Sequence, residues 1–273
     1  MWHVAFAVAL AVAIALSMML IRHRLSRRRT LAALAASRAQ SVSRFPIRIM
    51  SLSDRPALAE AFARDNIVRV DHFLDPESLK GLRAEADRSV PMMTPSFIPT
   101  HKKGRTLSYE KIHHYAPGCL SFYHSPQVQE WVSCIVGMPV YPTPDGDQSS
   151  LSILCYNEPG DHINWHFDHN FYRGRHFTVL LSLANESAAG GLSQSSLMRK
   201  LPGGEEQRFD TSANSLVVFE GARVLHRASP TAEGDLRMML SMTYCADPRT
   251  NWIKEFARRI KDTAFYGIRA LWD

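Results

Sequence analysis

Residues 149–184 read SSLSILCYNEPGDHINWHFDHNFYRGRHFTVLLSLA, and their reading decides the fold. Three short runs, 149–156, 161–168 and 176–184, are separated by Asn, Pro, Gly and Asp residues that favour turns. The pattern continues at 206–210, 214–220 (NSLVVFE), 223–228 and 236–245 (LRMMLSMTYC). Short strands with such turns between them predict an all-β sandwich or barrel.

The flanks read differently. Ser53-Asp54 before Pro56 predicts a capped helix to about residue 64, and 66–70 (NIVRV) predicts a strand. Asp75-Pro76-Glu77 opens a second helix to about residue 88, with Leu79 and Leu82 on its buried face. Ser125-Pro126 opens a third, which Gly137 ends. Between them, 91–124 has no clear periodicity and reads as a long loop of the kind used for lids and binding elements. From about 251 to 268 helical spacing returns, with Ile253, Phe256 and Ile260 on one side. The expected architecture is mainly β with flanking α-helices: helices in front of a jelly roll and a closing helix behind it.

Composition agrees. With 45% hydrophobic and 21% charged residues, the 273-residue chain is neither disordered, collagenous nor a disulfide scaffold. The net charge of +6 is local. Eight of the 32 basic residues are arginines within residues 1–53, a segment without acids, while 54–273 set the other 24 against all 26 acidic residues. The main body therefore has no global positive field, and no nucleic-acid partner is expected. None of the cysteines at 119, 134, 155 and 245 forms a CxxC pair, and Cys155 and Cys245 fall in strand-like apolar runs that suit reduced core residues.

Residues 4–21 (VAFAVALAVAIALSMMLI) form an apolar run with Ser17 as its only polar member. Its length is just enough for a bilayer core, and Arg22, Arg24, Arg27, Arg28 and Arg29 follow it rather than precede it. This predicts a single-pass transmembrane helix over 1–21, a basic juxtamembrane linker over 22–48 and a cytoplasmic domain over 49–273 with its core at 149–247. A cleaved signal peptide and a mitochondrial address are the alternatives, the second because 22–48 is rich in Arg and Ser and free of acids.

The sharpest chemical feature is His166-Phe167-Asp168, followed by His226 and then Arg237. Residues two apart on a strand project from one face, so His166 and Asp168 point the same way. Two imidazoles and one carboxylate are the ligand set of non-haem Fe(II) oxygenases, which leaves coordination positions open. Arg237, on a later strand, suits a carboxylate held by two parallel hydrogen bonds.

These residues carry a resemblance. From 151 to about 247, the runs CYNEPGDHINWHFDHN, HFTVLLSLAN, Gly190-Gly191, SLVVFEGARVLHRASP and RMMLSMTYC resemble the double-stranded β-helix core of the Fe(II)/2-oxoglutarate-dependent dioxygenases, particularly the prolyl-hydroxylase-like branch. The lead-in DNIVRVDHFLDPESLKGLRAEAD is similar to that branch as well. The resemblance implies that His166, Asp168 and His226 bind iron and that Arg237 pairs with the distal carboxylate of 2-oxoglutarate. Tyr156, Thr178 and Ser241 are the hydroxyls placed to assist, and O2 is the second co-substrate. Met239 stands where a polar partner is usual two residues after the arginine, and Leu192 where an acid often follows the glycine pair. A related amino-acid halogenase group replaces the aspartate ligand with a small residue to admit halide. Asp168 is present here, which favours hydroxylation.

His162 and Asn164 share the strand parity of His166 and, with Arg105, are the candidates to touch a substrate, which could be a small molecule, a lipid or a protein. Lys102 and Lys103 read as solvated loop residues, His113-His114 as surface, and His169 as solvent-facing. Trp252, Arg258, Arg259 and Lys261 read as a helix with aromatic packing and an exposed basic face, with contact to a membrane surface as the alternative. The competing class is a non-catalytic jelly-roll scaffold tethered to a membrane. The convergence of His166, Asp168, His226 and Arg237 argues against it.

Overall fold

A computed structural model of the chain describes residues 2–44, 47–50 and 54–266. Seven helices are described: α1 (Trp2–Arg44), α2 (Arg55–Asp65), α3 (Pro76–Ser89), α4 (Tyr109–Tyr115), α5 (Pro117–Tyr123), α6 (Pro126–Val136) and α7 (Trp252–Tyr266). The strands are β1 (Ile67–Val70), β2 (Thr94–Ile98), β3 (Lys102–Leu107), β4 (Tyr141–Pro142), β5 (Leu151–Tyr156), β6 (His162–His166), β7 (Arg173–Ser187), β8 (Leu197–Lys200), β9 (Glu206–Phe209), β10 (Leu216–Phe219), β11 (Leu225–Ala228) and β12 (Asp235–Asp247).

All strand pairs are antiparallel and form one sheet in the order β1-β10-β7-β12-β5-β3-β6-β11-β8-β9, with β2 on β3 and β4 on β12. The sheet rolls nearly closed, as a jelly-roll core requires. Alternation along the long strands sorts side chains between two environments. On β12, Met238, Leu240, Met242 and Tyr244 join the main core beneath α2–α6. The intervening Arg237, Met239, Ser241 and Thr243 line a cavity inside the roll. On β5 the same alternation sends Ile153 and Cys155 to the core and Ser152, Leu154 and Tyr156 to the cavity. A smaller apolar cluster that includes Leu180, Phe219 and Met239 floors the cavity.

Helix ends follow local chemistry. Asp75 caps α3 by accepting from the amides of Glu77 (3.1 Å) and Ser78 (3.2 Å). Its hydrogen bond with the Ser78 hydroxyl, together with those amides, holds the carboxyl below its usual range. Asp54 makes no such side-chain cap at α2, and Ser53 lies outside the described residues. Gly137 ends α6 in the left-handed region at φ 71°.

Several expectations change. The segment 91–124 is not a loop: it holds the β2–β3 hairpin, α4 and α5. Its periodicity is hidden because β3 (KKGRTL) directs polar Lys102 and Thr106 inward, where both are buried. His113 is likewise buried rather than at the surface, edge-on to Tyr109. Finally, the transmembrane helix expected over 4–21 is not found: among the described residues no helix is long and apolar enough to cross a membrane. That run belongs to the longer α1, and the side chains of 2–5 and 7–9 lie outside the described residues.

The second half of α1 is docked on the domain instead of linking to it. Leu34 is buried in the main core against the helices, Arg38 pairs with Asp145 (3.2 Å) and Arg27 with Glu255 (3.3 Å). The ion pairs are partly exposed and contribute little each, so the apolar contact is the main tie. Leu34→Ala is expected to destabilise the fold by about 2–5 kcal/mol, read as a lower denaturation midpoint. An unchanged midpoint would show that α1 does not stabilise the domain.

Candidate metal centre and co-substrate pocket

His166 ends β6 and lies directly across from His226 on β11. Asp168 follows two residues later, where its amide donates to the Gly221 carbonyl (3.0 Å). One ligand atom from each of the three side chains lies within 4.8 Å of the others. The His166 and His226 Nε2 atoms stand 3.6 and 3.8 Å from Asp168 Oδ1. Each ring is fixed from behind: Nδ1 of His166 lies 2.7 Å from the Asn164 carbonyl, and Nδ1 of His226 lies 2.9 Å from that of Val224. A carbonyl only accepts, so both Nδ1 atoms carry the proton and both Nε2 lone pairs face the common point. Burial, then the neighbouring His226, pushes His166 down to about 4, which keeps its imidazole neutral at pH 7.

Asp168 is held ionised. Burial pushes its carboxyl up, but His226, His166 and a 2.6 Å hydrogen bond donated by Thr178 outweigh this and bring it to about 2. Gly221 makes the room: a Cβ there would stand 2.1 Å from Asp168 Oδ2. Gly221→Ala is therefore expected to push the carboxylate out of place and weaken Fe(II) binding at least tenfold, the scale of losing a supporting contact around a ligand. Anaerobic calorimetric titration checks this, and wild-type affinity in the variant would remove Asp168 from the ligand set.

Arg237, 2% exposed, lies in the same cavity beneath the Tyr156 ring, 5.6 Å from its centroid. Its Nε has no hydrogen-bond partner, and it forms no ion pair among the described residues. Burial alone already pushes its pKa down. An uncompensated guanidinium costs several kcal/mol to bury, which an anionic ligand offsets. A carboxylate held by two parallel hydrogen bonds fits that need. The cavity, about 300 Å³, is ample for a small dicarboxylate beside a metal ion.

The other expected residues divide. Tyr156 and Ser241 line the cavity. Thr178 does too, but its hydroxyl donates to Asp168. His162 and Asn164 do not line it: they bind the carbonyls of Gly160 and Thr100, respectively. The cause is a β-bulge. His226 pairs with His166, but Ala228, two residues on, pairs with Ile163, three residues back. The extra residue in β6 inverts the alternation, so Ile163 faces the cavity instead. Arg105 lies on β3 with the parity opposite to Lys102 and also stays outside the cavity lining. His169 sits exposed at the rim, stacked on Phe171.

Sequence reasoning missed three cavity residues. Lys102 is buried, reaches Thr106 (3.3 Å) and is pushed down to about 8 by burial, with Lys261 adding to the effect. Its inward direction was readable from the alternation of Lys102, Gly104 and Thr106, had the strand been recognised. His176 and Tyr266 carried no local signal.

Comparisons with known proteins agree with this geometry. The family model described as HalD: Halogenase D matches residues 50–265. AviO1 from Streptomyces viridochromogenes Tue57 is similar in structure (TM-score 0.58, 18% identity, 74% of this chain and 100% of that one). So are a Pseudomonas putida prolyl-4-hydroxylase (TM-score 0.55, 19% identity, 71% and 99%) and the epimerase SnoN in complex with Fe3+, alpha ketoglutarate and nogalamycin RO (TM-score 0.58, 14% identity, 71% and 84%). Among curated proteins no match is found. The chain belongs to the Halogenase D family, and its fold, with the His166–Asp168–His226 cluster inside it, is the one seen in those 2-oxoglutarate-dependent enzymes.

Proposed function

We propose that the protein hydroxylates an unactivated C–H bond, converting O2 and 2-oxoglutarate to the new hydroxyl group, succinate and CO2. The observation that carries this reading is Asp168. Its carboxylate is ionised, held by Thr178, and fills the position that must be vacated to admit halide. Bound Fe(II) supplies the O2 activation that amino-acid side chains lack. The chain does the rest. His166, Asp168 and His226 would hold the metal at the edge of the cavity. Arg237 fixes the far carboxylate of the co-substrate, and Leu154, Leu180 and Met239 keep water from the cavity floor.

The test is untargeted mass spectrometry of extracts incubated with the iron-loaded protein, 2-oxoglutarate and chloride. The expected product gains one oxygen atom. A product that gains chlorine in place of hydrogen would contradict hydroxylation and return the chain to the chemistry in its family's name.

We propose separately that the catalytic domain works at a membrane. Its support is the apolar arm of α1, where Leu10, Val12, Ile14, Leu16 and Met18 through Ile21 are all exposed.

A further inference from the structure

The closing helix α7 is docked with its charged side inward. Trp252 is 79% exposed, and Ile253, Phe256 and Ile260 are more than half exposed. These positions share one face of a helix. On the opposite face, Arg258 is 3% exposed and Asp262 is buried too. Arg258 donates to Asp262 (2.6 Å), to the Gly146 carbonyl (2.7 Å) and to Glu255 (2.8 Å). Rotating the apolar face inward would break this network and leave buried charges unpaired, so the orientation is fixed by the fold.

We infer that the exposed apolar face of α7 is a second bilayer contact, seated in the headgroup–acyl boundary of an anionic membrane. Three observations favour a bilayer as the occupant. Glu255 on α7 pairs with Arg27 on α1, so α7 meets α1 a short way beyond the apolar arm. Residues 10–21 of the arm are exposed on every side, an apolar surface that can lie along a bilayer interface without spanning it. Arg22, Arg24, Arg28 and Arg29 are exposed on α1 directly after the arm, where they complement anionic headgroups. Trp252 at the end of the face suits the interfacial zone.

The inner side of α7 carries Lys261, Phe265 and Tyr266 into the cavity wall. One helix therefore separates the bilayer from the pocket. Its diameter of about 10–12 Å holds the pocket close to the headgroups, which points to a substrate drawn from the membrane.

The experiment uses the full chain and vesicles of phosphatidylcholine with an equal part of phosphatidylglycerol. It needs neither iron nor 2-oxoglutarate, so its failure leaves the oxygenase reading standing. Phe256→Ser/Ile260→Ser is expected to lower vesicle partitioning about tenfold, because burial of the helix face sets interfacial affinity. The exposed positions leave the folded domain intact, which circular dichroism verifies. A nitroxide on Phe256→Cys, in a Cys134→Ser background, is expected to become shielded from a water-soluble relaxant when vesicles are added. A label that stays open to water while the chain is bound would show that the arm binds alone, and would overturn the inference. So would unchanged partitioning of the double variant, including the case where light scattering shows that it dissociates a dimer.

Discussion

Replacing Asp168 by Ala is expected to abolish product formation and to weaken Fe(II) binding by more than the tenfold to hundredfold typical of losing a supporting contact. The loss is severe because Asp168 is the only anion among the three ligands, and its carboxylate accepts a hydrogen bond from Thr178 that holds it in place. The two histidines would remain in place, since their Nδ1 atoms are fixed by backbone carbonyls that do not depend on Asp168. Asp168→Gly removes the same ligand but opens a gap beside Gly221, and it is expected to restore turnover as halogenation when chloride is supplied. Hydroxylation at the wild-type rate by the Ala variant would exclude Asp168 as a ligand.

Arg237→Met is expected to weaken 2-oxoglutarate binding tenfold to about a hundredfold, the equivalent of roughly 1.5–3 kcal/mol for a charge-assisted hydrogen bond in a buried site. The folded domain should not suffer equally. The wild-type guanidinium is buried without an ion pair, so an apolar side chain of similar length removes a desolvation cost in the empty protein. A higher denaturation midpoint together with weaker co-substrate binding is the expected signature. An unchanged 2-oxoglutarate titration would transfer the role to another cation, for which the buried Lys102 is positioned in the same cavity.

The strand pattern and the triad were legible because both depend on short-range alternation and on the order of a few chemically distinctive residues. β5, β7, β10 and β12 alternate between a core face and a cavity face, and in the sequence they stand out as short apolar-rich runs punctuated by turn residues. What escaped the reading depends on distant partners. The β6 bulge is set by pairing with β11, and it sent His162 and Asn164 away from the cavity that their spacing predicted. Helical spacing identified the apolar face of α7 but not its direction. That direction is decided by Gly146, more than a hundred positions upstream, and by the Arg258–Asp262 pair, which needs burial against the roll to form. The docking of α1 was invisible for the same reason: Leu34 and Arg38 acquire meaning only beside the core helices and Asp145.

The central claim is that the three ligands and Arg237 make one working centre. Its most direct measurement is the conversion of 2-oxoglutarate to succinate by the full-length protein, with Fe(II) and O2 and without added substrate. Slow turnover that stops on chelation of iron, and that is lost in both Asp168→Ala and Arg237→Met, is the predicted result. A wild-type protein that binds Fe(II) and 2-oxoglutarate yet forms no succinate above the level of these two variants would contradict it.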